Sequence, residues 1–241
     1  MRIALILSYD GTDFYGSQIQ KTFYPTIMGT LQNILQQLNI TSPLIASGRT
    51  DKGVHATAQV CHLDLPPFWK DTDKLKRVLN TMTPNSLHVK KIFRVSENFH
   101  ARYSAITRTY RYVISTKEPN PFESRYVTFL PSCNYEKIKR DIHLFKGEHD
   151  FAFFEKTGSD TTTTIRTIYK AFAYKHKNYI ILNYEANGFL RSQVRLMSGA
   201  LLNLEKQQIQ QMLDLSYKYK LKPVPPQGLY LAKIKYQEER C

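Results

Sequence analysis

Hydrophobic and polar positions in the first half of the chain predict strands that alternate with helices. Arg2–Tyr9 is apolar on both faces, which is typical of a central strand. In Ile27–Leu38 the apolar residues recur every three or four positions and predict a helix with one buried face. The other predicted elements are strands at Leu44–Ser47, Ala58–Leu65 and Leu87–Val95, and a helix capped by Asp71 or Thr72 that ends near Asn80. This order favours the α+β class, with helices against one face of a sheet.

The second half of the chain repeats this scheme. Its predicted elements are strands at Thr107–Ser115, Thr163–His176, Tyr179–Ala186 and Leu229–Tyr236, and helices at Tyr135–Leu144, Phe189–Asn203 and Gln207–Leu215. Two halves of similar organisation would form a cleft where they meet. Within Thr107–Ser115, the side chains of Tyr110, Tyr112 and Ile114 share one face.

The net charge of +14 is the unusual feature of the composition. Residues 1–120 hold 15 basic and 8 acidic side chains, and residues 121–241 hold 19 and 12, so the excess is spread over both halves. An evenly basic protein favours a polyanionic partner, most simply a nucleic acid. The longest unbroken apolar run, Ile3–Leu7, is too short to cross a membrane, and we expect a cytoplasmic protein.

Motifs for metal and nucleotide chemistry are missing from the sequence. The three cysteines, Cys61, Cys133 and Cys241, are odd in number and far apart, which argues against a disulfide scaffold or a structural zinc site. No glycine-rich phosphate loop is present. These absences argue against a zinc site and against nucleotide hydrolysis.

One loop concentrates polar chemistry, in the sequence GRTDKGVHA at Gly48–Ala56. Two glycines allow tight bends or the close approach of a ligand, and Arg49 and Lys52 attract phosphate. Asp51 is then an anion in a loop that otherwise suits anions. The composition alone leaves two interpretations open: Asp51 has a chemical role, or it pairs with Arg49 or Lys52 in a solvated turn.

A set of motifs, in the same order along nearly the whole chain, resembles the tRNA pseudouridine synthase A family. The matching segments are YDGTDFYGSQ at 9–18, GRTDKGVHA at 48–56, FHAR at 99–102, RTYRY at 108–112, GEHDF at 147–151, ANGFL at 186–190 with Val194-Arg195, and PPQGL at 225–229. The resemblance implies an isomerase that converts uridine to pseudouridine and needs no cofactor.

The resemblance also implies roles for four residues. Asp51 matches the catalytic aspartate, which starts the reaction either as a nucleophile or through a glycal-type intermediate. Tyr110 matches the tyrosine that packs against the target base and helps remove the C5 proton. Arg195 matches the arginine that pairs with the aspartate, and Arg49 is expected to position the flipped nucleotide or its phosphate.

Other residues near these motifs have structural interpretations. Tyr112 is expected in the core, and His55 and His100 as hydrogen-bonding scaffold. We assign no chemistry to His149. Arg191 is expected four residues before Arg195 on one helix face, where a site role and a solvated or phosphate-binding role both remain open.

The resemblance predicts the fold and the partners. We expect two pseudo-symmetric ferredoxin- or RRM-like halves with antiparallel sheets that meet at a central basic cleft. The N-terminal domain, 1–104, would carry the aspartate loop, and the C-terminal domain, 105–241, the tyrosine strand and the arginine helix. The substrate would be the tRNA anticodon arm at positions 38, 39 and 40, and the enzyme a homodimer. The loops Gln18–Tyr24 and Asn120–Arg125 are candidate RNA contacts.

Some positions depart from the family pattern. Ser17 stands where tryptophan is usual, Lys52 replaces a common alanine, and Leu196-Met197-Ser198 replaces the usual residues after the arginine. Two alternatives to the isomerase remain. A non-catalytic RNA-binding module or RNA chaperone would explain the charge and aromatics, and a metal-dependent phosphatase or nuclease would use Asp10 and Asp13.

Overall fold

The computed structural model describes residues 1–21, 23–156, 158 and 161–237. They form a mixed α+β fold with mostly antiparallel strands, as predicted. The strands are β1 (Arg2–Tyr9), β2 (Ile45–Ala46), β3 (His55–Asp64), β4 (Leu87–Arg94), β5 (Ala105–Ser115), β6 (Thr128–Phe129), β7 (Gly147–Asp150), β8 (Ile165–His176), β9 (Tyr179–Ala186) and β10 (Leu229–Tyr236). The helices are α1 (Ile27–Gln37), α2 (Thr72–Met82), α3 (Tyr135–Asp141), α4 (Gln193–Asn203) and α5 (Lys206–Leu213).

The chain divides into two compact units. The first comprises Met1–Ile106 and Tyr230–Cys241, and the second Thr107–Leu229. The chain crosses between the units after Ile106 and again after Leu229. β10 lies in the first unit, where it pairs in parallel with β3, with Tyr230 opposite His55 and Leu231 opposite Ala56. Cys241 lies outside the described residues.

The first unit has a sheet covered by two helices. The strand order is β4-β1-β3-β10, β2 pairs with β3, and β1 is antiparallel to both of its neighbours. Thr26 caps α1 by accepting the Gly29 N–H at 3.2 Å, and Asp71 caps α2 by accepting the Lys74 N–H at 2.8 Å. The Met28 sulfur lies 3.6 Å from that of Cys61, so α1 packs on the face of β3 that carries Cys61.

The second unit has the strand order β5-β9-β8-β7, with β6 beside β5. The pairs β5–β9, β9–β8 and β8–β7 are antiparallel. The hydroxyl groups of Tyr184 on β9 and Ser198 on α4 lie 3.3 Å apart and are buried, so α4 covers the face of β9 that carries Tyr184. Among the described residues, none of the helices is both long enough and apolar enough to span a membrane.

The helix predicted over Phe189–Asn203 begins later, at Gln193. Ser192 has a left-handed backbone with φ of 59°, and the buried Gln193 side chain accepts the Leu190 N–H at 2.7 Å. This side-chain bond stabilises a turn before the helix. Arg191 therefore precedes α4 and does not share a helix face with Arg195, which corrects the sequence prediction.

The buried carboxylate of Asp141 gives a stability prediction. Arg140 donates two hydrogen bonds to it, at 2.7 and 3.0 Å, and these bonds, with the charge of Lys137 at 3.8 Å, lower the pKa of Asp141. A carboxyl whose pKa is lower in the folded state stabilises the protein above its ordinary pKa of about 3.9, and the stabilisation disappears as the pH falls through the lower folded value. We expect Asp141→Asn to cost about 1 kcal/mol near neutral pH, because the Arg140 head group is largely in solvent.

Circular dichroism melts between about pH 7 and pH 3 measure this effect. The Asp141→Asn protein should melt about 2–4 °C below the wild type at neutral pH. The difference should shrink toward the acid end of the range. Glu118→Gln, which removes an exposed carboxylate, is the control and should melt like the wild type. A difference that stays constant with pH would contradict the ionic role of Asp141.

Candidate active site

Thr50, the residue before Asp51, is bonded through three of its groups to β1 and the turn that follows it. Its N–H donates to the Ser17 hydroxyl at 2.8 Å, and its carbonyl accepts the Ser17 N–H at 3.0 Å. Its own hydroxyl lies 2.9 Å from that of Tyr9, and this pair is buried. These three hydrogen bonds of Thr50 restrict the conformation of the loop at the next residue, Asp51.

Two glycines allow the turn after β1 to pack closely against the Asp51 loop. A Cβ atom on Gly11 would lie 2.0 Å from the carbonyl oxygen of Val54, so only glycine fits there. Gly16 has φ of +90°, and a Cβ atom there would lie 3.0 Å from the carbonyl oxygen of Thr50. These contacts explain the two glycines of the motif at 9–18 as requirements of close backbone packing.

β3 holds the other side of the loop through a buried amide. Gln59 accepts a hydrogen bond from the Ser47 hydroxyl at 3.0 Å and donates one to the Gly48 carbonyl at 2.8 Å. Its side chain is fully buried and its bond with Ser47 is shielded from water, whereas the bond to Gly48 is part-buried. The start of the loop is therefore fixed independently of Thr50.

Three charged residues follow one another closely in this loop. Asp51 is half-buried, and Arg49 and Lys52 are exposed. The Val54 N–H donates to the Asp51 carbonyl at 3.1 Å and closes a tight turn. The Lys52 ammonium lies 3.6 Å from the centroid of the Tyr15 ring, which is a close cation–π contact. The Lys52 side chain thus lies along the outside of the loop.

His55 and Asp10 have structural contacts in this unit. His55 is buried, and its Nδ1 accepts the Gly11 N–H at 3.0 Å. Asp10 Oδ1 accepts the Thr12 N–H at 2.9 Å and the Thr12 hydroxyl at 2.5 Å, and lies 3.2 Å from His55 Nδ1. The His55 contacts are those of the scaffold residue that was predicted. Asp10 stabilises the turn after β1.

The two other predicted histidines also bond to the backbone. His100 Nδ1 accepts the N–H groups of Arg102 and Tyr103 at 3.2 and 3.3 Å, as expected of a scaffold residue. His149 Nε2 lies 3.2 Å from the Lys146 carbonyl oxygen. Within the described part of the chain, no group of three or more His, Cys, Asp and Glu side chains is arranged to hold a metal ion.

In the second unit, Tyr110 lies on β5 with only 8% of its surface exposed. It is opposite Tyr184 in the β5–β9 register. Its ring meets Phe189 edge to face, with the centroids 5.2 Å apart and an angle of 86° between the planes. Phe189 follows β9, so the motif ANGFL supplies a ring that packs on the predicted site tyrosine.

Tyr112, two residues further along β5, is a core residue, as predicted. It is fully buried, and burial raises the pKa of its hydroxyl. That hydroxyl donates to the Pro225 carbonyl at 3.1 Å, and the Thr128 hydroxyl lies 2.7 Å away. Tyr112 therefore ties β5 to the segment that precedes β10.

Arg195 on α4 is held by the residue next to Pro225. Its Nε donates to the Val224 carbonyl at 2.7 Å, and its own carbonyl accepts the Val224 N–H at 3.2 Å. A Cβ atom on Gly199 would lie 2.8 Å from the Lys222 carbonyl oxygen, so the glycine lets this segment pass close to the helix. The Val224 carbonyl thus orients the Arg195 guanidinium by binding its Nε edge.

The predicted site residues lie in both units: Asp51 and Arg49 in the first, Tyr110 and Arg195 in the second. The sequence reasoning missed the residues that orient them, namely Tyr9, Ser17, Thr50, Gln59 and Val224. In the sequence, Ser17 is visible only as a departure from the family pattern. Its hydroxyl accepts the Thr50 N–H, so a small polar residue at this position has a structural role here.

Comparison with known proteins gives a family match over most of the chain. The family model described as tRNA pseudouridine synthase matches residues 5–104 and 142–237. Proteins named tRNA pseudouridine synthase A from Campylobacter jejuni (strain RM1221) and Wolinella succinogenes are 36% and 37% identical to the chain. The alignments cover 98% and 96% of this chain and 100% and 93% of those proteins. The protein of that name from Phytoplasma mali is 36% identical over 96% of this chain and 97% of its own length.

A solved structure shows a weaker likeness. A chain in the crystal structure of a Cbf5-Nop10-Gar1 complex aligns with 80% of this chain and 46% of its own length, at 15% identity and a TM-score of 0.36. That score is too low to bear on the fold. The matched ranges of the family model include the motifs that carry Asp51 and Arg195, whereas Tyr110 lies between those two ranges. The alignments with the relatives extend over nearly the whole chain. The chain therefore belongs to the tRNA pseudouridine synthase family, a family of isomerases.

Proposed function

We propose that this protein converts uridine to pseudouridine at positions 38, 39 and 40 of the tRNA anticodon stem-loop, with Asp51 initiating the reaction. The observation that carries the proposal is the fixed loop of Asp51 in a chain of this family. A carboxylate does not increase the affinity of a protein for RNA, because it repels the phosphate groups. Its presence in a loop anchored by Ser17, Tyr9 and Gln59 favours chemistry at this residue.

The reaction is an isomerisation: substrate and product have the same atomic composition, and one proton is lost to water while another is gained. The bond from ribose C1′ to N1 breaks, the base rotates, and a bond from C1′ to C5 forms. C5 loses its proton and N1 gains one, so no oxidant, reductant or energy source is required. Asp51 would either attack C1′ and leave it again, or promote loss of the base through a glycal-type intermediate.

Arg195 would keep the Asp51 carboxylate ionised once RNA covers the site. Burial under RNA raises the pKa of a carboxylate, and a guanidinium close to it opposes that change. Arg195 donates its Nε–H to the Val224 carbonyl, and this bond to the backbone orients the guanidinium. We propose that Arg195 and Asp51 pair in the active enzyme.

Tyr110 and Arg49 would act on the nucleotide itself. A uridine stacked in a stem-loop has to leave the stack before it reaches a carboxylate, at a cost of a few kcal/mol. The ring of Tyr110, supported edge-on by Phe189, would pack against the displaced base and help to remove the C5 proton. The exposed Arg49 would bind the phosphate or the sugar of the same nucleotide.

The proposal includes the assembly and the location of the enzyme. With a net charge of +14, the protein can contact tRNA phosphates well beyond the nucleotide that reacts. This supports a homodimer in which one tRNA contacts both subunits. Pseudo-symmetric halves that meet at a basic cleft would suit such a substrate. The enzyme would act in the cytoplasm, where it meets tRNA.

Replacement of Asp51 separates an isomerase from a non-catalytic RNA-binding protein. We expect the wild type to release tritium from tRNA labelled at uridine C5, and Asp51→Ala to release at least ~1,000-fold less, because the initiating carboxylate is missing. The isosteric variant Asp51→Asn should be equally inactive, and both should bind tRNA with near wild-type affinity. Undiminished release from either variant would refute the role of Asp51. No release from the wild type, with tRNA still bound, would favour the binding module.

Arg195→Lys tests the proposed pairing in the second unit. Lysine keeps the positive charge but loses the Nε bond to Val224 and the planar head group. We expect single-turnover tritium release to slow by about 100-fold while the Kd for tRNA changes little, because the lost interaction orients a charge at the reaction centre. Arg140→Lys, a change of the same kind at a guanidinium that bonds Asp141 on α3, is the control. Equal rates for Arg195→Lys and the wild type would contradict the pairing.

A further inference from the structure

Three side chains form a column beside the Asp51 loop. The rings of Tyr15 and Tyr24 are stacked, with centroids 4.0 Å apart and planes inclined by 11°. The Lys52 ammonium lies 3.6 Å from the centroid of Tyr15. A ring at 4.0 Å leaves no room for an ammonium on the same side, so Lys52 covers the opposite face of Tyr15. The order in the column is Lys52, Tyr15, Tyr24.

Hydrogen bonds hold the backbone at the base of this column. The Tyr15 N–H donates to the Pro25 carbonyl at 2.9 Å, and the Gln20 side chain donates to the Tyr15 carbonyl at 2.7 Å. The Ile27 N–H donates to the Gly16 carbonyl at 3.3 Å, which ties the same turn to the start of α1. The two tyrosines are therefore positioned before any ligand arrives.

The outer end of the column is open to solvent. Tyr24 keeps 55% of its surface exposed although Tyr15 covers one of its faces, and its neighbour Phe23 is fully exposed. Two adjacent exposed aromatic rings are costly in water, and a surface of this kind marks a binding site more often than isolated apolar residues do. Lys21, which is close to Tyr24 in the sequence, and Lys52, which lies over Tyr15, are both exposed and favour an anionic partner.

We propose that the open face of Tyr24 stacks a base of the tRNA other than the uridine that is isomerised. The proposal rests on the proposed function, which makes RNA the substrate. Base stacking on an exposed aromatic ring adds to the affinity for RNA and requires no particular base. The cation on the far face of Tyr15 and the net charge of +14 favour RNA over a protein partner. Tyr24 would thereby position the RNA strand alongside Asp51.

Binding of an unmodified tRNA transcript tests the role of the ring. We expect Tyr24→Ala to raise the Kd by about tenfold, and Tyr24→Phe to stay within about twofold of the wild type, because stacking uses the ring and not the hydroxyl. The control is Phe68→Ala. Phe68 is an aromatic ring of similar exposure, at 63%, but it lies near the opposite end of α1. Its neighbour Trp69 donates Nε1–H to the Leu38 carbonyl at the C-terminal end of that helix, whereas Tyr24 precedes the N-terminal end. An unchanged Kd for Tyr24→Ala would overturn the proposal.

A fluorescence measurement detects stacking directly. The chain has one tryptophan, Trp69, so Trp69→Phe combined with Tyr24→Trp places a single indole in the column. We expect quenching of this indole by the tRNA transcript and not by heparin, a polyanion without bases. Equal quenching by both would show a charged surface without stacking and would overturn the proposal, as would the absence of quenching at saturating tRNA.

The same tRNA keeps this proposal separate from the isomerase activity. Tritium release without quenching would leave the proposed reaction intact and reject Tyr24 as a stacking residue. Quenching without tritium release would do the reverse. Quenching by an acidic polypeptide such as polyglutamate, at the level seen with tRNA, would point to a protein partner and would also reject stacking on RNA.

Discussion

The hydrogen bonds of Thr50 fix the position of Asp51. Thr50 bonds through its N–H, its carbonyl and its hydroxyl to Ser17 and Tyr9, which are far away in the sequence. The bonds are possible because β1 and β3 are antiparallel neighbours, with Tyr9 opposite Ala56 at the end of the ladder. The register of two strands therefore determines where the carboxylate is presented. The glycines of the turn after β1 permit the approach.

A comparable arrangement in the second unit orients Arg195. The Tyr112 hydroxyl binds the Pro225 carbonyl, and Arg195 binds the carbonyl of the preceding residue, Val224. One short backbone segment thus connects β5, which carries Tyr110, with α4, which carries Arg195. The fully buried ring of Tyr112 makes this connection rigid, because its hydroxyl has no access to water. Pro225, the first residue of the motif PPQGL, is consequently the anchor for its neighbour Val224, which orients Arg195.

Periodicity predicted the elements well where local patterns determine them. The bounds of β1, β9 and β10 agree with the prediction, and Asp71 caps α2 as expected. The predicted start of α4 at Phe189 is wrong, because the buried Gln193 side chain bonds the Leu190 N–H and stabilises a turn where the apolar pattern predicts helix. Pairing is not local, so the sequence could not show that β10 lies beside β3. For the same reason, motifs identified Asp51 and Arg195 as candidates, but their backbone partners could be seen only in the structure.

The parallel pairing of β10 with β3 has a consequence for synthesis on the ribosome. His55 and Ala56 follow the Asp51 loop directly, and their strand neighbours are Tyr230 and Leu231. The entire second unit, Thr107–Leu229, is translated between these partners. The nascent first unit therefore lacks one edge strand until the second unit has left the exit tunnel. A message truncated anywhere before the codon for Tyr230 yields a chain whose aspartate loop borders an uncovered strand.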